Sequence, residues 1–219
     1  MPRIIDVLLS LLALLVLLPL FIPIVVILLL TGEHKVFYLQ TRVGYKNKDF
    51  KIIKFATMLS NSANMGSGSL TLKNDPRVLP FGSFLRKTKI NELPQILNII
   101  IGDLSIVGPR PQMQVDFEKY SDDVQGKIYN VRPGLTGIGS IIFRDEEKLI
   151  TDVKNNGGDV WEFYKGEIYP FKGKLEIWYQ NHNSFILDMK LIILTAWVIF
   201  NPKSKIHEKL FKDLPKRKF

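Results

Sequence analysis

Residues 4–30 read IIDVLLSLLALLVLLPLFIPIVVILLL, and Asp6 is the single charge in the run. As a straight α-helix this stretch would extend about 40 Å at about 1.5 Å per residue, beyond the ~30 Å hydrocarbon core of a bilayer. It is too long for a signal peptide, and no small-residue cleavage site follows it, so it reads as a membrane segment. Pro19 and Pro23 lie inside it, and each removes a backbone donor and crowds the preceding turn. Two arrangements fit the residues: a single span, or a hairpin broken at Pro19 whose halves enter and leave on the same side. Lys35, Arg42, Lys46, Lys48, Lys51 and Lys54 follow the run and assign that side to the cytoplasm. Arg3 prefers the same side, which a hairpin satisfies and a span does not.

The 219-residue chain carries 30 Lys+Arg against 21 Asp+Glu, a net charge of +9. One domain with membrane elements fits this length, and the positive balance calls for an anionic partner: nucleic acid, anionic lipid or a phosphate-bearing substrate. The absence of cysteine excludes disulfides, thiolate zinc sites and a thiol nucleophile. His34, His182 and His207 have no metal-ligand spacing. Alternation in residues 36–39 and 50–55, around Gly44-Tyr45-Lys46-Asn47, predicts a short β-hairpin. A Gly/Ser/Asn-rich loop is expected over residues 61–69. A helical pattern begins at residues 83–85. A second helix starts near Asn91 or Glu92, because Pro94 is tolerated only in a first turn, and Gly102 ends it. Phe117, Tyr120, Val124 and Ile128 predict an amphipathic helix. Residues 184–200 predict an apolar helix of 17 residues, too short to span and suited to the interface. Residues 203–219 carry seven basic and two acidic side chains.

Chemistry concentrates in four islands: Lys54-Phe55, residues 85–95 (LRKTKINELPQ), residues 102–111 (GDLSIVGPRP) and residues 131–137 (VRPGLTG). Arg and Lys bind phosphate oxygens, and a proline-flanked loop holds such a donor at low entropic cost. A carboxylate at a helix N-terminus binds Mg²⁺ or attacks phosphorus, and the helix dipole favours anionic groups there. Taken singly each island has a plainer reading: a rigid turn with a solvated Arg110, an N-cap at Asn91, a turn at Arg132-Pro133-Gly134.

Together, in this order and with Asp75-Pro76-Arg77-Val78, the islands resemble the bacterial sugar transferase family, and the resemblance runs from Arg3 through Leu187-Asp188-Met189-Lys190. It implies a phosphoglycosyl transferase that moves a sugar 1-phosphate from a UDP-sugar onto undecaprenyl (polyprenyl) phosphate with Mg²⁺, releasing UMP at the first membrane step of a bacterial glycan. The implied fold is mainly α-helical with a short β-hairpin, a monotopic membrane protein with a proline-broken re-entrant N-terminal helix and amphipathic interfacial helices. Its segments are a re-entrant helix at 1–32, a catalytic domain at 33–200 and a basic tail at 201–219. Its place is the inner membrane, among that membrane's lipids, with the catalytic face in the cytoplasm. Residue by residue, the resemblance assigns catalysis to Asn91 and Glu92, Mg²⁺ to Glu92, and substrate binding to Lys54, Arg86, Arg110 and Asp188.

The family's motif has Asp-Glu where this chain has Asn91-Glu92. The Asp is the implied nucleophile, and a carboxamide is a poor substitute. Three routes follow: another mechanism using Glu92 or direct attack by the lipid phosphate, an inactive site, or replacement by a different carboxylate. The position after Phe55 is Ala56 where the family commonly has Arg, and residues 139–147 replace its commoner segment after the Leu-Thr-Gly turn. Two rivals stand beside the transferase: a catalytically silent membrane scaffold, motivated by Asn91, and a membrane-tethered nucleic-acid binder. Nucleic acid is not an expected partner, since no aromatic residues interleave with the basic ones in a stacking pattern.

Overall fold

Backbone in an apolar medium must satisfy its own hydrogen bonds, and α1 (Arg3–Leu30) does so as one long helix. Pro19 and Pro23 lie inside this helical element rather than between two elements. Asp6, Ser10, Phe21, Ile24 and Leu28 form its buried stripe, while Leu8, Leu12, Leu15, Val16 and Ile22 are exposed around it. The structure, a computed structural model, describes residues 1–62, 65, 71, 75–202 and 204–219. Apart from residues 61, 62 and 65, the loop expected at 61–69 lies outside the described residues.

Both ends of α1 bond to the rest of the chain. At one end Arg3 Nη2 donates to Ile100 O at 2.9 Å, and the Asp6 carboxylate accepts from Ser105 Oγ at 2.9 Å and the Ile106 N–H at 2.9 Å. Just beyond the other end, Glu33 accepts from the Ser60 N–H at 2.7 Å and Lys35 Nζ donates to Ser60 Oγ at 2.7 Å. The single charge of the apolar run is thus a buried, hydrogen-bonded anchor, the state in which a buried carboxylate is tolerated.

The hairpin forms as predicted, with β1 (Phe37–Val43) antiparallel to β2 (Asp49–Phe55) and Phe37 opposite Phe55. Then come α2 (Pro80–Lys87), a 3₁₀ turn (Ile90–Glu92), α3 (Gln95–Ile101) and β3 (Ser105–Val107). The single helix expected through Ile128 is instead α4 (Gln114–Phe117) and α5 (Asp122–Lys127). Ser121 is extended, and Asp122-Asp123 begin a new first turn, an N-terminal signature that overrides the apolar spacing. β4 (Gly134–Thr136) pairs parallel with β3, a contact that three-residue strands did not advertise. A Cβ on Gly134 would collide with the backbone of Gly108, so two glycines permit the close approach.

The remainder is helical: α6 (Ile138–Ile142), α7 (Glu146–Asn155), α8 (Val160–Phe163) running through a π-turn (Tyr164–Ile168) into α9 (Tyr169–His182), α10 (Phe185–Phe200) and α11 (Ile206–Leu210). Tyr129, Ile138, Ile168, Leu175, Tyr179 and Leu191 centre the main core. A smaller cluster joins Phe21, Ile24 and Leu28 of α1 to Phe55 and Leu85. α10 buries Leu187, Leu191 and Leu194 and exposes Ile186, Ile193, Trp197 and Phe200, so it is apolar on both faces. The basic tail packs back onto the domain. Phe211 and Leu214 are buried, Phe219 meets the rings of Phe143, Phe163 and Phe171, and Arg217 makes two 2.8 Å bonds to Asp145.

Candidate functional site

Between the hairpin, the α2–α3 segment and α9 lies a cleft with two lobes. One lobe, of about 300 Å³, is lined by Arg42, Lys54, Arg86, Lys89, Arg110 and Lys172, with Asn91 and Glu92 on its wall. The other, of about 600 Å³, shares Arg86, Lys89, Glu92, Arg110 and Lys172 with the first but is further walled by Leu135, Ile141, Phe143, Ile192 and Val198. Four of the positions named from sequence, Lys54, Arg86, Glu92 and Arg110, therefore meet in one place, with Asn91 beside them.

Local structure explains the meeting. Asn98 on α3 accepts from the Ile53 N–H at 2.9 Å and donates to Lys51 O at 2.7 Å, clamping β2 so that Lys54 faces the cleft. Tyr129 Oη donates to Arg110 O at 2.9 Å and accepts from the Gln112 N–H at 2.8 Å, fixing the Gly-Pro-Arg-Pro loop from below. The Gly134 N–H donates to Pro109 O at 2.8 Å and holds the same loop from the side. Because Asp6 bonds β3, the strand that leads into this loop, the apolar helix α1 is two short links from Arg110. Lys89 adopts a left-handed backbone (φ 61°), uncommon for a side chain other than glycine, and turns the chain into the 3₁₀ turn that carries Asn91 and Glu92.

Charge is concentrated at Glu92. Arg110 Nη2 donates to Glu92 Oε1 at 2.9 Å, and Lys54 Nζ lies 3.5 Å from the same oxygen. Burial pushes the Glu92 carboxyl up, but Arg110 and Lys54 outweigh it and hold the group well below the usual carboxylate range. Burial lowers Lys54 to about 7 against the pull of Glu92, and lowers Arg42 to about 10 with help from Arg110. Arg110 is raised by Glu92. The site is a poised electropositive cleft with one firmly ionised carboxylate. A phosphate entering it would return Lys54 to its charged form.

Two expectations are corrected. Asn91 does not cap a helix: it sits inside the 3₁₀ turn, α3 begins only at Gln95, and no side-chain capping bond is made. Pro94 takes the position before α3, which displaces Asn91 by three residues from the cap. Asn91 is instead buried, and its Oδ1 has no hydrogen-bond partner among the described residues. Asp188 is not brought to the cleft. It is fully buried on α10, 2.7 Å from Tyr179 Oη and 2.8 Å from the Met1 amine. Arg77 is likewise structural, bonded to Asp75 and to Ser62 O and Met65 O. Sequence reading passed over Arg42, Tyr129 and Glu176, and it quoted Lys89 within the 85–95 island without giving it a role. Glu176 lines the apolar lobe and interrupts the Leu175–Tyr179 face of α9, a charge in an apolar stripe that was the available signal.

The sequence model described as "Bacterial sugar transferase" matches residues 1–202. The exopolysaccharide production protein ExoY of Sinorhizobium fredii is 38% identical over 162 residues, 68% of this chain and 71% of that protein. The UDP-glucose:undecaprenyl-phosphate glucose-1-phosphate transferase of Klebsiella pneumoniae is 32% identical over 92% of this chain and 40% of its own length. The undecaprenyl-phosphate galactose phosphotransferase of Salmonella typhimurium is 37% identical over 53% of this chain and 27% of its own. With these relatives, and with the family's ordered islands gathered at one cleft, the chain belongs to the bacterial sugar transferase family.

Proposed function

We propose that the protein transfers a sugar 1-phosphate from a UDP-sugar to undecaprenyl (polyprenyl) phosphate, releasing UMP, at the cytoplasmic face of the bacterial inner membrane. The observation that carries this reading is Glu92, held ionised by Arg110 and Lys54 on the wall shared by a cationic and an apolar lobe. A nucleoside diphosphate matches the first lobe and a lipid phosphate the second. The names of relatives that act on UDP-glucose and undecaprenyl phosphate support it. α1 enters the membrane re-entrantly, as one helical element kinked at its prolines with both ends on the cytoplasmic side. Hydrogen bonds from Arg3 and Lys35 to the same catalytic domain, and the exposed apolar surfaces of α1 and α10, support this topology.

Glu92 would hold Mg²⁺, with the orphaned Asn91 Oδ1 as a second oxygen. Among the described residues no three His or carboxylate groups cluster, so the protein would supply only part of the ion's ligands, as is common for Mg²⁺. When bound, Mg²⁺ supplies charge neutralisation to the diphosphate. Arg110, Arg86 and Lys54 orient the phosphates. A carboxylate pinned by two cations is a weak nucleophile and Asn91 is a weaker one, so the acceptor attacks directly. An oxygen of the lipid phosphate bonds to the β-phosphorus, the bond from that phosphorus to the bridging oxygen breaks, and UMP leaves with that oxygen. The second reading, a silent scaffold, rests on Asn91 alone. Purified protein with decaprenyl phosphate, Mg²⁺ and a panel of UDP-sugars separates them. The transferase releases UMP with at least one sugar, and the scaffold binds UDP-sugar without releasing any.

A further inference from the structure

Glu176, on α9, is 3% exposed and lines the apolar lobe, yet its Oε2 has no hydrogen-bond partner among the described residues. Its place is built rather than incidental. A Cβ on Gly139 of α6 would collide with Glu176 Oε1, so the glycine leaves the space that the carboxyl fills. The backbone N–H of Arg110 points to the carboxyl while the Arg110 guanidinium holds Glu92, so one residue links the two acids. Burial raises Glu176 to about 8 against the Arg110 N–H and the charges of Lys172 and Arg110. The groups facing it are otherwise committed. Lys172 pairs with Glu146 at 2.8 Å and Arg110 with Glu92 at 2.9 Å, and the phenols of Tyr120, Tyr129 and Tyr179 stay neutral.

We propose that Glu176 is a binding residue for the acceptor, donating a hydrogen bond from its buried carboxyl to the phosphate monoester of a long-chain apolar ligand seated in the apolar lobe. The inference rests on the transfer reaction above and names a residue for it. The wall of Leu135, Ile141, Phe143, Ile192 and Val198 suits hydrocarbon rather than a nucleotide. α10, which supplies Ile192 and Val198, also exposes Ile193 and Phe200, so the lobe adjoins an apolar surface from which a lipid enters. An ionised carboxylate would repel a phosphate there. A carboxyl retaining its proton offers the donor that the unpartnered oxygen otherwise wastes.

The test is binding of decaprenyl phosphate, of decaprenol and of a UDP-sugar, each measured in detergent micelles with the parent protein, Glu176→Gln and Glu176→Leu. Glu176→Leu should bind decaprenyl phosphate roughly tenfold more weakly or worse, with decaprenol and UDP-sugar unchanged. Glu176→Gln keeps an N–H donor and should stay within a few-fold of the parent. The parent's affinity for decaprenyl phosphate should fall more steeply past about pH 8 than that of Glu176→Gln, in which only the fall set by Lys54 near 7 remains. Equal losses for decaprenol and its phosphate, loss confined to UDP-sugar, or a Glu176→Gln profile that falls past pH 8 as steeply as the parent's would each overturn the assignment. If the Leu variant does not fold, the Gln variant and the pH series decide. A parent that binds no decaprenyl phosphate overturns the transfer reading as well, whereas a parent and a Leu variant that bind it equally overturn this inference alone.

Discussion

The two lobes of the cleft share Glu92 and Arg110 yet are built in opposite ways. The cationic lobe is assembled from the hairpin, α2 and the Gly-Pro-Arg-Pro loop, segments fixed by side-chain clamps such as Asn98 and Tyr129. The apolar lobe is assembled largely from α6, α9 and α10, held by packing, with the buried acid Glu176 in its wall and the charged residues it shares with the first lobe at its rim. Recognition of phosphate needs fixed donors in a fixed geometry, and recognition of a long hydrocarbon needs only shape and dryness. The difference predicts that substitutions in the first lobe reduce turnover, and that those in the second shift the acceptor's apparent affinity.

The largest effect should come from Glu92→Gln. It leaves Arg110, Lys54 and Lys89 without their carboxylate and should lower UMP release by about two to three decades. Near-parent turnover would break the assignment of Glu92. Arg110→Ala comes next, with kcat/KM down by about one to two decades, since a charge-assisted bond contributes about 1.5–3 kcal/mol. Unchanged kinetics would make the loop a scaffold only. On the other side of the comparison, Ile192→Asn should raise the KM for lipid acceptor by about tenfold and leave that for UDP-sugar alone. A rise in both would show that the lobes do not divide the substrates.

How much of this division was legible in the sequence depends on the kind of interaction. Glu92 and Arg110 sit beside prolines, which local rules mark, whereas Lys54 and Arg86 were joined to them by the resemblance. Asp188 defeated the same reasoning. A carboxylate in the first turn of an apolar helix reads alike whether it meets a ligand or, as here, a buried phenol and an amine. Asn91 failed as a cap because the left-handed Lys89 and Pro94 delay α3, a backbone effect that residue preference does not show. The apolar lobe was nearly invisible. Its parallel β3–β4 pair has three-residue strands with no readable alternation, and α9 hides Glu176 among Leu175, Trp178 and Tyr179. The tail, read from its basic residues, is in fact organised by Phe211, Leu214 and Phe219.

The smallest effect sharpens the contrast through stability. Glu176 titrates near 4.5 when exposed and at about 8 in the folded chain, so between these values the folded state keeps a proton that the unfolded state releases. Stability should therefore fall as pH rises across that window, by on the order of a few kcal/mol. Glu176→Gln removes the titration. Its Tm relative to the parent should be higher at pH 8.5 than at pH 5, measured by thermal unfolding in one detergent. A pH-independent difference in Tm would show that the apolar lobe does not hold Glu176 neutral.

The claim that joins the two lobes is that the β-phosphorus passes from the nucleotide in one to the lipid in the other. A UDP-sugar labelled with ³²P at its β-phosphate, incubated with the protein, decaprenyl phosphate and Mg²⁺, tests this directly. The account predicts label in the organic phase with one UMP released per labelled lipid, no label bound covalently to the protein, and both products lowered together by about two to three decades in Glu92→Gln. Label retained in the aqueous phase by a protein that binds the UDP-sugar, with transfer appearing only in Asn91→Asp, would contradict it.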